Sequence, residues 1–222
     1  MSTTKIAVIG GGTMGSGIAL TAAMHGIDAT VVDINEDQLS RARSYHEKQC
    51  ARAVSKERMT QIESDAAIAR LAYVTSMSDA SSAAWAIEAA TENIEIKKKI
   101  FSQMLETFGK DVILATNTSS ISITELASAV PGAEHRVIGM HFFNPVPVMK
   151  LVEVIKGKQT SEETTAATLA LSESMGKTPV PANDFAGFVS NRVLMPMINE
   201  AFHAWEDGVA QPEDIDSIMK LG

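Results

Sequence analysis

The sequence lacks the residues that disulfides and cysteine-based metal clusters require, because it contains a single cysteine, Cys50. It also has no excess of positive charge: 19 Lys and Arg stand against 27 Asp and Glu, which gives a formal net charge of -8 at pH 7. Since a nucleic-acid surface needs clustered cations to neutralise phosphates, the composition argues against a nucleic-acid partner. An anionic small molecule would have to meet a local patch of cations.

Long apolar runs are also absent. No segment approaches the roughly 20 apolar residues of a membrane-spanning helix, and the first glycine motif follows within a few residues of the start, without a basic and apolar leader. We therefore expect a cytoplasmic location and no membrane partner. The chain of 222 residues, 45% of them hydrophobic, can bury a substantial core in one or two domains.

Over residues 1–184 the hydrophobic pattern alternates between strand and helix. An apolar run at 5–9, three glycines, a helix over 14–25 and a β-branched run at 28–32 predict a β-α-β unit. Residues 36–70 are charged, with apolar residues at helical spacing, which predicts a helical-hairpin insertion. Further strands are predicted at 73–75, 84–89, 112–116, 136–141, 149–155 and 178–180, and further helices at 94–108, 123–129 and 161–175.

The pattern predicts an α/β fold, with a doubly wound Rossmann-type sheet over residues 1–184. Residues 185–222 contain only helical patterns, a long helix over 189–205 and a shorter one that opens at Pro212. Two helices are few for an independent core. We expect this segment to be the start of an incomplete all-α C-terminal domain, with a boundary near Asp184.

Three glycines between the first strand and the first helix match the pattern G-x-G-x-x-G. Gly10 permits a tight turn, Gly12 lets the backbone approach a pyrophosphate, and Gly15 allows the helix to pack closely on the strand. Thr13 and Met14 complete the motif at the helix N-terminus, which faces the phosphates. In the alternative interpretation, these glycines serve only the geometry of the chain.

Asp33 ends the second strand, at the spacing where a carboxylate accepts hydrogen bonds from both hydroxyls of an adenosine ribose and repels a 2′-phosphate. Together with the glycines it predicts NAD as the cofactor, over NADP, although a cation such as Arg41 would shift that preference. The alternative role of Asp33 is to cap the helix that begins near Glu36.

His141 ends an apolar strand, at the edge of the sheet where open α/β proteins place their ligands. Glu153 interrupts the apolar run 151–155, where a carboxylate either faces water or needs a buried partner. As a pair they would form a general base for oxidation of an alcohol, because the carboxylate fixes the imidazole tautomer and stabilises its protonated form. A structural histidine and a solvent-facing glutamate are the alternatives.

Several motifs then occur in a characteristic order: residues 10–15, Asn117-Thr118-Ser119-Ser120, His141-Phe142-Phe143-Asn144-Pro145, Glu153 and Asn191-Arg192. In this series the sequence resembles the 3-hydroxyacyl-CoA dehydrogenase family over essentially its whole length. Several independent motifs are far more specific than the glycine pattern, which many unrelated dehydrogenases share.

The resemblance implies that His141 is the base and Glu153 its orienting partner. It implies that Ser120 and Asn191 donate hydrogen bonds to the reacting oxygen of the substrate, where they would hold it and polarise a ketone. By residue type alone, Ser120 could instead cap a helix that begins near Ile121. Asn191 could equally be a polar residue in the first turn of its helix.

The resemblance also places Glu92, Lys97 and Asn117 beside the nucleotide, and Asn144 beside the substrate, although Asn144 could equally anchor the turn before the following proline. Coenzyme A brings phosphates, for which the insertion offers Lys56 as our preferred contact. The same insertion also contains Lys48, Arg52 and Arg58, and together these four cations could line one surface. The alternative is a solvated helix face.

The other histidines predict no metal site. His25 precedes a glycine at a helix C-terminus, and the remaining three show neither a partner nor metal-ligand spacing: His46, His135 and His203.

The activity implied by the resemblance is NAD-dependent oxidation of a (3S)-3-hydroxyacyl-CoA to the 3-oxoacyl-CoA, or the reverse reduction, with short-chain substrates such as 3-hydroxybutyryl-CoA. Alternatives are a dehydrogenase of a small hydroxy acid and a non-catalytic nucleotide-binding module. Family members continue through further helices that build a dimer interface, so we expect a homodimer through this region where it is complete. We also expect an exposed apolar stripe that includes Phe188, Leu194, Ile198 and Phe202.

Overall fold

Eight strands form one sheet in the computed structural model of the chain, which describes residues 4–222. Their order across the sheet is β3-β2-β1-β4-β5-β6-β7-β8. All neighbouring strands are parallel except β6 and β7. The strands are β1 (Lys5–Ile9), β2 (Asp28–Val32), β3 (Leu71–Val74), β4 (Trp85–Glu88), β5 (Ile113–Thr116), β6 (Val137–Phe142), β7 (Leu151–Lys156) and β8 (Thr178–Asn183).

Helices cover both faces of this sheet, so the predicted doubly wound α/β fold is confirmed. The helices are α1 (Thr13–Met24), α2 (Glu36–Ser55), α3 (Gln61–Ala69), α4 (Ile94–Thr107), α5 (Ile123–Ala127), α6 (Glu162–Ser174), α7 (Ser190–Glu206) and α8 (Pro212–Leu221). Within residues 4–222, no helix is long and apolar enough to cross a membrane.

The first strand shows how the core is divided between the two faces. Side chains alternate along β1: Ile6 and Val8 pack in an apolar cluster with α1 and α6, while Ala7 and Ile9 pack in a second cluster with α4 and α5. Because both faces are covered, the strand is apolar at consecutive positions, as is usual in buried parallel sheets.

The predicted helical hairpin is formed by α2 and α3. Each begins at a capping side chain, Asn35 for α2 and Thr60 for α3. The expectation that His46 has no partner is wrong: it is buried, and its Nε2 and Nδ1 lie 2.8 Å from the Ser16 carbonyl and 2.7 Å from the Tyr73 hydroxyl. These bonds join the hairpin to α1 and to β3. Both partners are distant in sequence, so no local pattern reveals them.

The last strand is longer than its sequence pattern suggests. The sequence predicts that it ends at 180, before Pro181, but β8 continues to Asn183 and pairs Pro181 with Val154 of β7. Proline lacks the amide hydrogen that a central strand needs, but β8 is an edge strand, with no neighbour on its outer side in the part of the chain that the structure describes. A proline is therefore tolerated there.

The two C-terminal helices carry the predicted apolar stripe, with one correction. Leu194, Ile198 and Phe202 of α7 are exposed, at 43%, 40% and 58% of their surface, whereas Phe188 is only 3% exposed. Phe188 lies in a turn before the helix, with a φ of 51°, and it packs in the core cluster beside α4 and α5. His203, expected to lack a partner, contacts Asn199 and Glu206 on α7.

Candidate active site

The ends of several parallel strands meet along one edge of the sheet. β1 lies between β2 and β4, so the direction of the chain connections reverses there and the loops after β1 and β4 leave a crevice between them. The loops after β5 and β6 continue the same edge. Open α/β sheets bind their ligands at such a point.

The glycine loop after β1 has the shape that a dinucleotide requires. A Cβ at Gly10, whose φ is 106°, would lie 2.6 Å from the Ala90 Cα, and a Cβ at Gly15 would lie 1.9 Å from the Gly10 carbonyl oxygen. These two glycines are therefore required by packing. A Cβ at Gly12 would meet no atom within 4 Å, so this backbone borders open space at the N-terminus of α1, where a pyrophosphate would bind.

Asp33 lies against the glycine loop. Its Oδ2 accepts a hydrogen bond from the Gly11 amide at 2.8 Å, and its Oδ1 accepts one from the Asn35 amide at 2.9 Å. The cap of α2 is Asn35, so the alternative role of Asp33 as the cap is excluded. Each carboxylate oxygen keeps a second lone pair, and the site fits the adenosine ribose of NAD.

His141 and Glu153 lie side by side because β6 and β7 are antiparallel neighbours. The register pairs the two residues directly, and directly opposed side chains project from the same face of a sheet. His141 Nδ1 lies 2.7 Å from Glu153 Oε2, and both side chains are buried. The rings of Phe143 and Phe188 flank the imidazole, with centroids 4.5 and 6.0 Å away. The predicted contact is therefore present, and both of its side chains are largely shielded from solvent.

Three further hydrogen bonds reach Glu153 from the start of α7. The Ser190 hydroxyl donates to Oε2 at 2.8 Å, and the amides of Ser190 and Val189 donate to Oε1 at 2.9 and 3.2 Å. No side chain at the start of α7 itself caps that helix. Glu153 thus takes the place of a capping residue, and its negative charge suits the positive end of the helix dipole.

These contacts determine the charge of Glu153 and the tautomer of its partner. Burial by itself raises the pKa of Glu153, but the hydrogen bonds from His141 and Ser190 outweigh burial and bring that pKa below its ordinary value. An ionised carboxylate only accepts, so His141 Nδ1 carries the hydrogen of the shared bond. The neutral imidazole then has its lone pair on Nε2, which can accept a proton.

The turn after β5 is held from two sides. Glu92 Oε1 accepts hydrogen bonds from the Thr118 hydroxyl and the Ser119 amide, both at 2.7 Å. Asn191, in the first turn of α7, donates from Nδ2 to the Ser119 carbonyl at 3.0 Å. The structure therefore brings the Ser119-Ser120 turn and Asn191 together from distant parts of the chain.

Ser120 is exposed on this turn. The alternative in which it caps the next helix is wrong, because Ser122 is the residue that caps α5. Asn117 lies at the start of the turn, and its Oδ1 accepts a hydrogen bond from the Phe142 amide at 2.9 Å. That bond ties the end of β5 to the segment that carries His141.

Lys97 lies beneath this turn and is only 1% exposed. Its ammonium forms an ion pair with the buried carboxylate of Glu88, lies 3.3 Å from the Thr116 hydroxyl and lies 3.6 Å from Glu92 Oε2. Its charge is thus used inside the protein, where it holds Glu92 in position. Contact of Lys97 and Glu92 with the nucleotide stays a prediction.

Comparisons with known proteins match this arrangement. Residues 5–185 match the model of the NAD binding domain of 3-hydroxyacyl-CoA dehydrogenase, and residues 187–222 match that of its C-terminal domain. The chain belongs to the 3-hydroxyacyl-CoA dehydrogenase family. It is an NAD-dependent oxidoreductase of that family.

Individual relatives cover all or nearly all of the chain. A probable 3-hydroxybutyryl-CoA dehydrogenase from Bacillus subtilis is 49% identical over 222 residues, which are 100% of this chain and 77% of the relative. A 3-hydroxybutyryl-CoA dehydrogenase from Clostridioides difficile is 44% identical over 98% of this chain and 77% of its own. The crystal structure of (S)-3-hydroxybutyryl-CoA dehydrogenase from Ralstonia eutropha has a TM-score of 0.96, at 47% identity, and covers 100% of this chain and 78% of its own.

Two residues assigned to the substrate lie on the surface of the dehydrogenase. Lys56 is exposed at the C-terminal end of α2, and Asn144 is exposed in the loop between β6 and β7, just before Pro145. Within residues 4–222, no hydrogen bond or ion pair joins either of them to His141. Their roles stay predictions.

Sequence reasoning missed several buried or half-buried polar residues that hold the site. Ser190 directly precedes Asn191, and Glu88 ends an apolar strand. Neither residue stands out in the hydrophobic periodicity of the sequence. Lys177 is buried as well, and its ammonium donates to the carbonyls of Val146 and Met149 in the loop after the strand of His141. Burial lowers the pKa of Lys177. A charged residue in a polar stretch gives no sign of burial.

Gly12→Ala separates cofactor binding from folding. Because a Cβ there meets no protein atom, the variant should fold with an unchanged urea midpoint, yet the methyl group would occupy the space of the pyrophosphate and weaken NADH binding by about tenfold or more, ~1.4 kcal/mol. NADH fluorescence titration measures this. Gly15→Ala is the matched control, since its Cβ overlaps the Gly10 carbonyl and should destabilise the fold itself. An unchanged NADH affinity in Gly12→Ala would place the pyrophosphate elsewhere.

The acid stability of the dehydrogenase should depend on Glu153. Its folded pKa lies below its unfolded value, so its contribution is complete above the unfolded pKa of about 4.3 and is lost as pH falls through the folded pKa. Glu153→Gln should cost about 1–3 kcal/mol at pH 6 and should flatten the fall in stability between pH 5 and pH 3. Urea unfolding across this range tests it. Glu106→Gln, an exposed change on α4, should keep the wild-type slope, and an equal slope in Glu153→Gln would contradict the prediction.

Proposed function

We propose that this chain oxidises a (3S)-3-hydroxyacyl-CoA to the 3-oxoacyl-CoA with NAD, and catalyses the reverse reduction, with His141 as the base. The observation that carries the proposal is the 2.7 Å bond between His141 Nδ1 and Glu153 Oε2, on the edge of the sheet that also carries the glycine loop. Oxidation of an alcohol without a metal needs a base of this kind.

NAD, when bound, supplies the acceptor for the hydride that leaves the substrate carbon. The residues proposed to hold it are the glycine loop, Asp33 at the ribose, and Asn117, Glu92 and Lys97 near the turn after β5. His141 Nε2 takes the proton of the substrate hydroxyl. The Glu153 carboxylate then faces an imidazolium, whose charge it stabilises across the Nδ1 bond.

Two donors are proposed for the reacting oxygen. The hydroxyl of Ser120 makes no hydrogen bond within residues 4–222, and Asn191 uses one amide hydrogen for Ser119 and keeps the second. Ser120 belongs to the turn after β5 and lines a cleft of about 590 Å³, and Asn191 of α7 is hydrogen-bonded to the same turn. In the reductive direction these donors would stabilise negative charge on the ketone oxygen.

The substrate class is proposed from the relatives and from one face of α2. Relatives at 49% and 44% identity are named for 3-hydroxybutyryl-CoA, which favours a short acyl chain. Lys48, Arg52 and Lys56 follow each other at four-residue intervals and are all exposed, so they share a helix face that could meet coenzyme A phosphates. Asn144 is proposed to contact the substrate.

We further propose that residues 1–184 form the NAD-binding unit, and that 185–222 belong to a helical unit through which two copies pair. Support for pairing comes from the exposed apolar side chains of α7 and α8, a surface that soluble monomers rarely present. The largest exposed members on α7 are Leu194, Met195, Met197, Ile198, Phe202 and Trp205.

Turnover of acetoacetyl-CoA and NADH, followed by the loss of absorbance at 340 nm, tests the reaction and its base. His141→Ala should lower kcat by about 100- to 10,000-fold while NADH still binds, because only proton transfer is lost. His135→Ala, at an exposed position, is the matched control and should retain full turnover. Wild-type turnover of a small hydroxy acid without coenzyme A would favour the other dehydrogenase class. NADH binding without any turnover would indicate a non-catalytic module.

Light scattering tests the pairing. The 222-residue chain should have the mass of a dimer at micromolar concentration, and Phe202→Glu should shift it towards the monomer, because a charge in an apolar interface is left unpaired. Glu106→Gln, an exposed change on α4 and not on α7 or α8, should leave the mass unchanged. A wild-type chain that stays monomeric at high concentration would overturn the proposal.

A further inference from the structure

The carboxylate of Glu153 receives more hydrogen bonds from α7 than from the histidine that it orients. His141 provides one of its four donors, and Ser190 provides two, through its hydroxyl and its amide. The Ser190 hydroxyl and His141 Nδ1 share the same acceptor, Oε2, at 2.8 and 2.7 Å. A change at Ser190 must therefore alter the charge that faces the imidazole.

We infer that Ser190 is a positioning residue for the reaction: its hydroxyl holds the Glu153 carboxylate on His141 and withdraws part of its negative charge. This inference rests on the proposed function, in which His141 is the base. Ser190 does not act on the substrate directly, and its effect passes through Glu153.

The geometry explains why this serine has more influence than an ordinary first residue of a helix. The carboxylate is ionised and only accepts, so the Ser190 hydroxyl must donate to it. Glu153 and His141 are both buried, and the rings of Phe143 and Phe188 flank the imidazole. A hydrogen bond to a charge is worth more in such a setting than in water. Among residues 4–222, His141 is the only Lys, Arg or His side chain with a nitrogen within 4.0 Å of the Glu153 carboxylate oxygens.

Ser190 also connects the base to the C-terminal helices. It is the first residue of α7, whereas Glu153 belongs to the central part of β7. A shift of α7 away from the sheet removes all three donors of that helix from Glu153 at once. The base is therefore fully assembled only while α7 is docked on the sheet.

Ser190→Ala tests the inference, because it removes the hydroxyl and keeps the backbone amide. We expect kcat for acetoacetyl-CoA reduction to fall roughly tenfold, with KM and NADH affinity unchanged. Losses of this size are typical when a residue that orients a site residue, without contacting the substrate, is removed. In the ligand-free protein, ¹⁵N NMR of the histidine ring should show the His141 titration midpoint move upward by roughly half a pH unit, since the whole charge of Oε2 then faces the imidazole.

Conservative and control variants separate positioning from mere structure. Ser190→Thr keeps the hydroxyl and should restore both kcat and the midpoint. Ser161→Ala also removes a hydrogen-bonded serine hydroxyl at the start of a helix, here the cap of α6, and it should change neither value. If Ser190→Ala does not fold by circular dichroism, Ser190→Cys replaces it, because a thiol of similar size donates only weakly.

An unmoved NMR midpoint together with a kcat within twofold of wild type would overturn the inference, and Ser190 would then be only the first residue of α7. A wild-type chain without turnover would contradict the proposed function instead. In that case the NMR midpoints of the ligand-free Ser190→Ala and Ser190→Thr variants still decide whether Ser190 controls the negative charge that Glu153 presents to His141.

Discussion

The buried carboxylate of Glu153 is the constraint on which the site depends. A carboxylate away from water is tolerated only when it is paired and hydrogen-bonded, and this one is satisfied from two sources at once. The antiparallel register of β6 and β7 supplies His141, and the start of α7 supplies Ser190 and Val189. One group thus orients the candidate base, caps a helix and joins the sheet to the C-terminal segment.

The same principle recurs along the edge of the sheet. Glu88 and Lys97 neutralise each other beneath the turn after β5, and Lys97 in turn lies near Glu92, which holds that turn. Lys177 offers its ammonium to two carbonyls of the loop after β6. Loops at a sheet edge have no ladder partners of their own, so buried charged side chains supply the bonds that hold them. Ser120, the exposed donor proposed for the substrate, is carried on one of these supported loops.

Sequence reasoning succeeded where one local pattern carries one physical cause. Continuous apolar runs marked the buried strands, and the glycine motif marked a loop in which packing forbids a side chain at Gly10 and Gly15. It failed where the cause lies in a distant neighbour. Phe188 was expected on the surface, but a turn with positive φ directs the chain so that the residue is buried. His46 seemed isolated because its partners, Ser16 and Tyr73, are far away in sequence.

The sequence by itself determined the order of strands and helices, the dinucleotide loop and the identity of the residues that can do chemistry, because these follow from periodicity, backbone freedom and residue type. It also pointed to Glu153, since a carboxylate in an apolar strand requires a partner. Only the tertiary structure decided which partners it has. Strand register placed His141 opposite it, and the docking of α7 added Ser190, because hydrogen bonds between distant segments depend on how the elements pack and not on any local pattern.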